Sequence, residues 1–245
     1  MKHWAGHVCR REDSVDSTNK QARLWAKEGA PHGAVIMAKE QTEGRGRKNR
    51  IWASAPGTGL WMSMVLRPNA DAAAWPLLSF AAALAVADSC EKLSSAPVQL
   101  KWPNDVLSGG KKLAGILLEK EGGALILGIG INVSQAQHDF PESLQHSAIS
   151  LRMISKMPVT VDALMRTLLE NLEYRIDAYQ NIMEAYRKRC ITIGSRVSVE
   201  GECESFEGTA ESINDAGGLL VRDAFGAVHT VYAGDVSIRG ENGYV

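Results

Sequence analysis

A short basic loop carries the residues best suited to binding an anion. Four of the seven residues from Gly44 to Arg50 are basic, and two of the other three are glycines. Guanidinium groups match carboxylate and phosphate oxygens, and glycine lets backbone amides approach a ligand closely. The segment has neither the P-loop pattern nor Gly-x-Gly-x-x-Gly, so neither of those nucleotide-binding folds is indicated. It predicts an anion-binding loop, although a solvated basic turn or a weak RNA-binding patch would have the same composition.

The run Lys-Trp-Pro-Asn-Asp at 101–105 places an amide and a carboxylate at the end of a predicted strand. The strand must end at Pro103, because proline has no amide hydrogen to donate to a neighbouring strand. Asn104 and Asp105 are then either functional groups presented at a strand end or the residues of an Asx turn.

Two apolar strands farther along the chain carry unexpected residues. Lys112 enters the apolar run 113–118, where a lysine either protects a sheet edge or contacts a ligand. Gly128 and Gly130 interrupt another apolar strand, which ends at Asn132. Glycine inside a strand often marks the close approach of a ligand, but a sheet crossing or a dimer contact would explain it as well. The sequence has no Gly-x-Ser-x-Gly or His-Glu-x-x-His motif and no histidine–cysteine set with metal-binding spacing.

Hydrophobic periodicity and turn signals define the elements that must position these residues. A helix begins at the cluster Asp-Ser-Thr-Asn at 16–19 and ends before Gly29. We further predict helices at 75–93 and 162–189, strands at 35–38, 60–66, 98–102, 112–119 and 124–133, and five short strands after Cys190. The order lacks regular βαβ alternation, so it predicts an α+β fold with a mixed sheet, followed by a small β-barrel.

Length, composition and charge restrict the class of protein. The chain has 245 residues, of which 45% are hydrophobic and 22% charged, as is typical of globular proteins and not of disordered, collagen-like or coiled-coil chains. It has 27 lysines and arginines against 28 acidic residues, so no overall field attracts a polyanion. The four scattered cysteines indicate reduced structural thiols. The chain shows no signal peptide, and its most apolar stretch, 77–86, is too short for a bilayer, so we expect a soluble cytoplasmic protein that binds no membrane.

Five segments, taken in order, resemble the biotin protein ligases in their short form, which has no N-terminal DNA-binding domain. They are Asp-Ser-Thr-Asn at 16–19, Gln41 followed by Gly-Arg-Gly-Arg at 44–47, Lys-Trp-Pro-Asn-Asp at 101–105, Lys-Leu-Ala-Gly at 112–115, and Gly-Ile-Gly-Ile-Asn at 128–132. The resemblance implies a catalytic domain at 1–190 and an SH3-like barrel at 191–245. It also implies an enzyme that activates biotin with ATP and Mg²⁺ as biotinyl-AMP. The biotin would then be transferred to one lysine of a biotin carboxyl carrier protein.

The resemblance also implies roles for individual residues. It implies biotin binding by Ser17, Thr18, Asn19, Gln41, Gly44, Arg45, Gly46, Arg47, Lys112 and Gly115. It implies nucleotide binding by Arg47, Arg50, Trp52, Asn104, Lys112, Asn132 and Arg239. The catalytic candidates are Lys112, Arg45 and Asp105, and Asp105 is also a candidate Mg²⁺ ligand.

Two other functions are compatible with parts of the sequence. A lipoate or octanoate ligase or acyltransferase of the same superfamily is an alternative, but those relatives share a glycine-triplet segment ending in His-Asp that is absent here. A non-catalytic module that binds RNA or peptide is another, but the C-terminal segment is acidic and would repel phosphates. Its acidic residues are Glu200, Glu202, Glu204, Glu207, Glu211, Asp215 and Asp223. We expect no DNA binding, and pairing of sheet edges would allow a homodimer.

Overall fold

A computed structural model describes residues 3–68, 74–200, 205–232, 235–240 and 243–244. The first part of the chain forms β1 (Cys9–Val15), α1 (Thr18–Lys27), β2 (Val35–Gln41), β3 (Gly59–Leu66), α2 (Trp75–Ser94), β4 (Gln99–Lys101), β5 (Asp105–Ser108), β6 (Lys111–Glu121) and β7 (Ala124–Asn132). Three further helices follow: α3 (Leu151–Ile154), α4 (Val161–Asp177) and α5 (Met183–Arg189). The remaining strands are β8 (Arg196–Glu200), β9 (Ser205–Ile213), β10 (Leu219–Asp223), β11 (Val228–Val231), β12 (Asp235–Gly240) and β13 (Gly243–Tyr244).

The main sheet has seven strands in the order β1-β2-β3-β7-β6-β5-β4. Only β1 and β2 pair in parallel, and the other neighbours are antiparallel, so the predicted α+β fold with a mixed sheet is confirmed. Strand β1 was not predicted. Six of its seven residues are exposed at the sheet edge, so the strand lacks the alternation of apolar and polar residues that identifies a half-buried strand.

Helices cover both faces of this sheet. Val65 and Ile126 pack with Ala22 and Trp25 of α1 on one face, which we call the α1 face. The Ala-rich helix α2 packs in the larger core on the opposite face, and α4 packs against α2. Because side chains alternate along a strand, Ser63 of β3 lies on the α1 face with Val65. The glycines of β7 share that face.

The helix predicted at 162–189 is wrong as a single helix. Helix α4 ends at Asp177, a 3₁₀ turn follows at Tyr179–Asn181, and α5 begins at Met183. The hydrophobic spacing continues through the break because buried residues of both helices, among them Ile176 and Tyr186, pack into one core. Periodicity alone therefore could not reveal the turn between them.

The C-terminal strands form a second sheet in the order β11-β10-β9-β8-β12-β13, with antiparallel neighbours. Five of these strands lie between residues 196 and 240, as the predicted SH3-like unit requires. The Trp102 indole Nε1 donates to the Gly217 carbonyl at 3.0 Å, and the Trp102 backbone amide donates to Thr192 Oγ1 at 3.0 Å. The second sheet is thus bonded directly to the Lys-Trp-Pro-Asn-Asp segment. Within the described ranges, no helix is long and apolar enough to cross a membrane.

Candidate active site

A cavity of about 350 Å³ gathers nearly all the candidate residues. Those that line it are Ser17, Thr18, Asn19, Gln41, Arg45, Gly46, Arg47, Arg50, Trp52, Asn104, Asp105, Lys112, Gly115 and Asn132. Gly44 lies directly beside it, against Ser54 and Gln41. Arg239 belongs to β12, and its side chain lies outside the described residues. Segments more than 80 residues apart in the sequence thus meet in one cavity.

Glycines form a flat platform beneath this cavity. Gly115 of β6 pairs with Gly130 of β7, and the Trp52 indole lies over both. A Cβ at Gly115 would stand 2.8 Å from Trp52 Cζ3, and one at Gly130 would stand 2.6 Å from Trp52 Cε2. The indole also packs edge-on against Trp61, with the ring centroids 6.2 Å apart. Gly115 and Gly130 therefore allow the close approach of the Trp52 side chain, whereas a Cβ at Gly128 would collide with the Asn19 amide.

One wall of the cavity is a buried cluster of polar side chains. Gln41 Oε1 lies 2.8 Å from the Thr18 backbone nitrogen and 3.0 Å from Thr18 Oγ1. Ser63 Oγ lies 2.8 Å from Thr18 Oγ1 and 2.6 Å from Asn19 Oδ1. These are three oxygen–oxygen contacts, but the Thr18 and Ser63 hydroxyls carry only one hydrogen each. The cluster is therefore one hydrogen short, and it suits a ligand that brings an N–H donor.

The basic loop closes on itself as a compact hairpin. The Gly46 amide donates to the Arg50 carbonyl at 2.7 Å, and the Trp52 amide donates to the Gly44 carbonyl at 2.9 Å. Lys48 at its tip has φ of 52°, in the left-handed region. A Cβ at Gly44 would lie 2.5 Å from the Trp52 carbonyl oxygen, so only glycine fits there.

Arg47 connects this loop to the Lys-Trp-Pro-Asn-Asp segment. Its guanidinium donates to Asn104 Oδ1 at 3.2 Å. Asn104 Nδ2 donates to the Ile116 carbonyl at 2.9 Å, and the Ile116 amide donates back to the Asn104 carbonyl at 2.9 Å. The Asn104 side chain thus bonds to β6 and to the basic loop and not to its own turn, which favours a functional strand end over an Asx turn.

Lys112 lines the cavity and carries an ammonium group. Its Nζ lies 2.8 Å from Asp105 Oδ1 and 5.3 Å from the centre of the Trp52 ring. Strand β6 has β7 on one side and β5 on the other, so Lys112 does not protect a sheet edge. Its backbone is fixed as well, because its amide donates to the Ser147 carbonyl at 2.7 Å.

Asn132 holds the same lysine from the end of β7. Its Nδ2 donates to the Lys112 carbonyl at 3.3 Å and to the Ile149 carbonyl at 3.0 Å. Gln135 Nε2 donates to Asn132 Oδ1 at 3.3 Å. The buried amide therefore fixes the strand segment from which the Lys112 side chain projects.

The described residues do not fit a resident magnesium site. Among the described residues that line the cavity, Asp105 is the only acidic one, and Lys112 pairs with it. Across the described ranges, no group of three or more histidine, cysteine or acidic residues could hold a metal ion. Mg²⁺ prefers one or two carboxylates together with phosphate oxygens and water. Asp105 alone, already paired with a cation, does not provide such a site.

Asp16 fixes the start of α1 at the mouth of the site. Its Oδ1 accepts hydrogen bonds from the Ser17 amide at 2.6 Å and from Gln21 Nε2 at 2.8 Å, and Lys20 Nζ lies 2.6 Å from Oδ2. Burial raises the pKa of this carboxyl, but the three hydrogen bonds and the lysine charge outweigh it and lower the pKa to about 2. The ionised carboxylate therefore positions the helix end that carries Ser17 and Thr18.

Sequence reasoning missed two polar residues that contact the side chains lining this cavity. Ser63 is fully buried and joins Thr18 to Asn19. Glu119, on β6, accepts a hydrogen bond from Asn19 Nδ2 at 2.7 Å. A serine inside the apolar strand β3 was a usable signal, whereas Glu119 lies among charged residues at a strand end and had none.

Known protein families match the chain in two ranges, one N-terminal and one C-terminal. Residues 12–135 match the model of the biotin/lipoate A/B protein ligase family, and residues 192–239 match the biotin protein ligase C terminal domain. A biotin--[acetyl-CoA-carboxylase] ligase of Mycobacterium tuberculosis is 40% identical over 95% of this chain and 90% of its own length. The bifunctional ligase/repressor BirA of Bacillus spizizenii is 34% identical over 93% of this chain and 73% of its own.

Solved structures agree with these sequence relatives. The biotin protein ligase of Aquifex aeolicus in complex with biotin and ATP superposes with a TM-score of 0.84. It is 27% identical, and the match covers 95% of this chain and 99% of that one. The fold, the cavity and these likenesses together show that the chain belongs to the biotin/lipoate protein ligase family, on its biotin protein ligase side.

Proposed function

We propose that this chain activates biotin with ATP to form biotinyl-AMP and then transfers the biotinyl group to a lysine of a biotin carboxyl carrier domain. The observation that carries the proposal is the position of Lys112. Its ammonium group lies in the same cavity as the basic loop and the polar cluster. In that cluster three oxygen–oxygen contacts share only two hydroxyl hydrogens. Such a cavity is suited to one ligand with an N–H-bearing ring and a carboxylate.

The polar cluster favours biotin over lipoate and octanoate. The cyclic urea of biotin brings two N–H donors and one carbonyl acceptor, whereas a dithiolane ring or an alkyl chain brings no donor. A cluster that lacks one hydrogen gains from a donor and leaves a buried oxygen unsatisfied without one. We assign ring recognition to Ser17, Thr18, Asn19 and Gln41, and the remainder of the biotin contacts to Gly44, Arg45, Gly46, Arg47, Lys112 and Gly115.

In the first step a biotin carboxylate oxygen attacks the α-phosphorus of ATP. The new C–O–P linkage forms as the bond to pyrophosphate breaks, and negative charge grows on the phosphoryl oxygens. Lys112, Arg45 and Arg47 line one cavity, so their positive charges stabilise that developing negative charge.

In the second step the acceptor lysine, as a free amine, attacks the biotinyl carbonyl. A C–N bond forms, the bond from the carbonyl carbon to the phosphate oxygen breaks so that AMP leaves, and the nitrogen releases a proton to solvent. Lys112 stabilises the developing oxyanion, and Asp105 orients the incoming amine from its position 2.8 Å from Lys112 Nζ. We therefore assign the lysine and the carboxylate to the same reacting carbon.

The adenylate is assigned to the remaining candidates. Arg50, Trp52 and Asn104 line the cavity beside Arg47, and Asn132 acts by fixing the Lys112 backbone. Arg239 is assigned to the same group on the resemblance alone. Magnesium enters as part of the MgATP substrate, because ATP phosphates supply the ligands that the described part of the chain does not offer.

We propose residues 1–190 as the catalytic domain and 191–245 as the SH3-like domain, a division supported by two family models that cover residues 12–135 and 192–239. The second domain bonds to Trp102, two residues before Asn104. We assign it the support of the active-site turn and part of the docking surface for the acceptor.

Pyrophosphate exchange tests this proposal. The chain is incubated with MgATP and labelled pyrophosphate, together with biotin, lipoate or octanoate. We expect label to enter ATP only with biotin. Exchange with lipoate or octanoate but not with biotin would assign the chain to the alternative ligases, and no exchange with any acid would favour a binding module.

A further inference from the structure

Glu119 lies outside the cavity but contacts a residue that lines it. Its strand position pairs with Ile126 of β7, so its side chain leaves β6 on the α1 face, beyond Gly115. Its Oε2 accepts from Asn19 Nδ2 at 2.7 Å, and its Oε1 accepts from the Arg23 guanidinium at 2.9 Å. The carboxylate is therefore held between a cation and the Asn19 amide.

This contact decides which way round the Asn19 amide sits. A carboxylate only accepts hydrogen bonds, so the NH₂ group of Asn19 must face Glu119 and its oxygen must face Ser63. The Ser63 hydrogen is then committed to Asn19 Oδ1, and the Thr18 hydroxyl has two oxygen neighbours but one hydrogen. The cluster thus lacks one hydrogen because Glu119 holds the NH₂ group of Asn19 away from Ser63.

We infer that Glu119 is a positioning residue that sets the hydrogen-bond polarity of the ring pocket and thereby its selectivity for an N–H-bearing ring. The inference rests on the proposed function. A reversed Asn19 amide would donate to Ser63, Ser63 would donate to Thr18, and Thr18 would donate to Gln41. Every contact of the cluster would then be satisfied within the protein, and an N–H donor would gain less by binding.

The substitution Glu119→Gln allows this reversal without a change of shape. A carboxamide at 119 can donate to Asn19 Oδ1, which frees the NH₂ group to turn towards Ser63. The matched control is Glu121→Gln. Glu121 Oε2 lies 3.3 Å from Nε of the same Arg23 and Oε1 lies 3.4 Å from Lys27 Nζ, so the control removes one charge from the same ion cluster without touching Asn19.

The test measures biotin binding by titration calorimetry, the KM for ATP in pyrophosphate exchange, and the unfolding midpoint. We expect Glu119→Gln to raise the Kd for biotin roughly tenfold, the effect of about one hydrogen bond, with the KM for ATP and the midpoint unchanged. Glu121→Gln should match the wild type. A wild-type Kd in Glu119→Gln, or equal weakening in both variants, overturns the inference.

A double-mutant cycle with Ser63→Ala separates polarity from simple loss of structure. Alanine at 63 has no hydroxyl to receive the reversed amide, so Glu119→Gln should weaken binding little further in that background. An additive effect of the two substitutions overturns the inference. Absence of biotin binding by the wild type would instead overturn the proposed function, so the two failures are distinguishable.

Discussion

Lys112 shows how the fold gives one side chain a defined charge environment. Its backbone is fixed by Ser147 and Asn132, and its ammonium group lies between Asp105 and the Trp52 face. The side chain is thus preorganised, which is the condition under which a cation stabilises a charged transition state most strongly.

The substitution Lys112→Ala should lower biotin-dependent pyrophosphate exchange by ~10²- to 10³-fold, because it removes the cation that we propose to stabilise the transition state. The fold should persist, since the lysine side chain is partly exposed. The control is Lys111→Ala, which removes the neighbouring lysine that does not line the cavity. Exchange near the wild-type rate in Lys112→Ala would remove this residue from its proposed role.

The packing of Trp52 on the glycine platform can be tested by adding a methyl group to one glycine at a time. A methyl group at Gly115 would push against the Trp52 ring, so Gly115→Ala should displace the indole and lower exchange roughly tenfold, equivalent to about 1.4 kcal/mol of overpacking. Gly123 has no atom within 4 Å of its Cβ position, so Gly123→Ala is a matched control that should leave exchange unchanged. Equal activity of both variants would contradict the packing of Trp52 on the platform.

Helix α1 depends on a carboxylate at its N-terminal end. The pKa of Asp16 is about 2, below its ordinary value of 3.8, so the folded state favours the ionised form. A group with a lowered pKa stabilises the fold fully above the unfolded value and loses that contribution as pH falls through the folded value. The stabilisation from Asp16 is therefore present at neutral pH and disappears between about pH 4 and pH 2.

The measurement compares wild type with Asp16→Asn in urea unfolding at several pH values. The wild type should have the higher free energy of unfolding above pH 4, and the difference should shrink towards pH 2. Lys39 makes an ion pair with the exposed Asp13, so Asp13→Asn is a control whose effect should be much smaller. A difference that does not change with pH would show that Asp16 acts only through its shape.

The elements with strong patterns could be predicted from the sequence, and the others depended on their neighbours. Alternation and capping residues identified α1, β3, α2, β6 and β7 to within a few residues. Strand β1 could not be found, because its exposed edge carries no apolar pattern, and the break after Asp177 was hidden because α4 and α5 share a core. The residue type of Lys112 was enough to predict a cation that could contact a ligand. Its ion pair with Asp105 could not be predicted, because it depends on how β5 and β6 pair in the sheet.

At the scale of the whole molecule, the second sheet supports the active-site turn. Trp102 is almost fully buried and donates to Gly217 at the turn before β10. Acidic residues of the second sheet and its turns also have basic partners: Asp215, in the turn before β10, pairs with Arg187, and Glu211 of β9 pairs with Arg222. The sequence revealed the acidic composition but not these pairs, which offset much of the charge locally.

The hydrogen bond from Trp102 to Gly217 predicts that a substitution at Trp102 lowers the free energy of unfolding. Trp102→Phe removes the N–H and part of the buried ring, so the free energy of unfolding should fall by roughly 1–3 kcal/mol. Tyr232→Phe is the control, because its exposed hydroxyl receives a 3.3 Å bond from Asn214 of the same turn and its loss should cost little. Urea unfolding measures both, and an unchanged free energy in Trp102→Phe would contradict the support of the turn by the second sheet.

The central claim is that biotin is activated as an adenylate before transfer. It can be tested by tracing one oxygen isotope from biotin into the nucleotide product. Biotin labelled with ¹⁸O in its carboxylate is incubated with the chain, MgATP and a biotin carboxyl carrier domain, and the nucleotide product is analysed by mass spectrometry. Attack of the carboxylate on the α-phosphorus predicts AMP that carries one ¹⁸O atom, in equal amount to the biotinylated acceptor. Unlabelled AMP, or ADP in its place, would contradict the account.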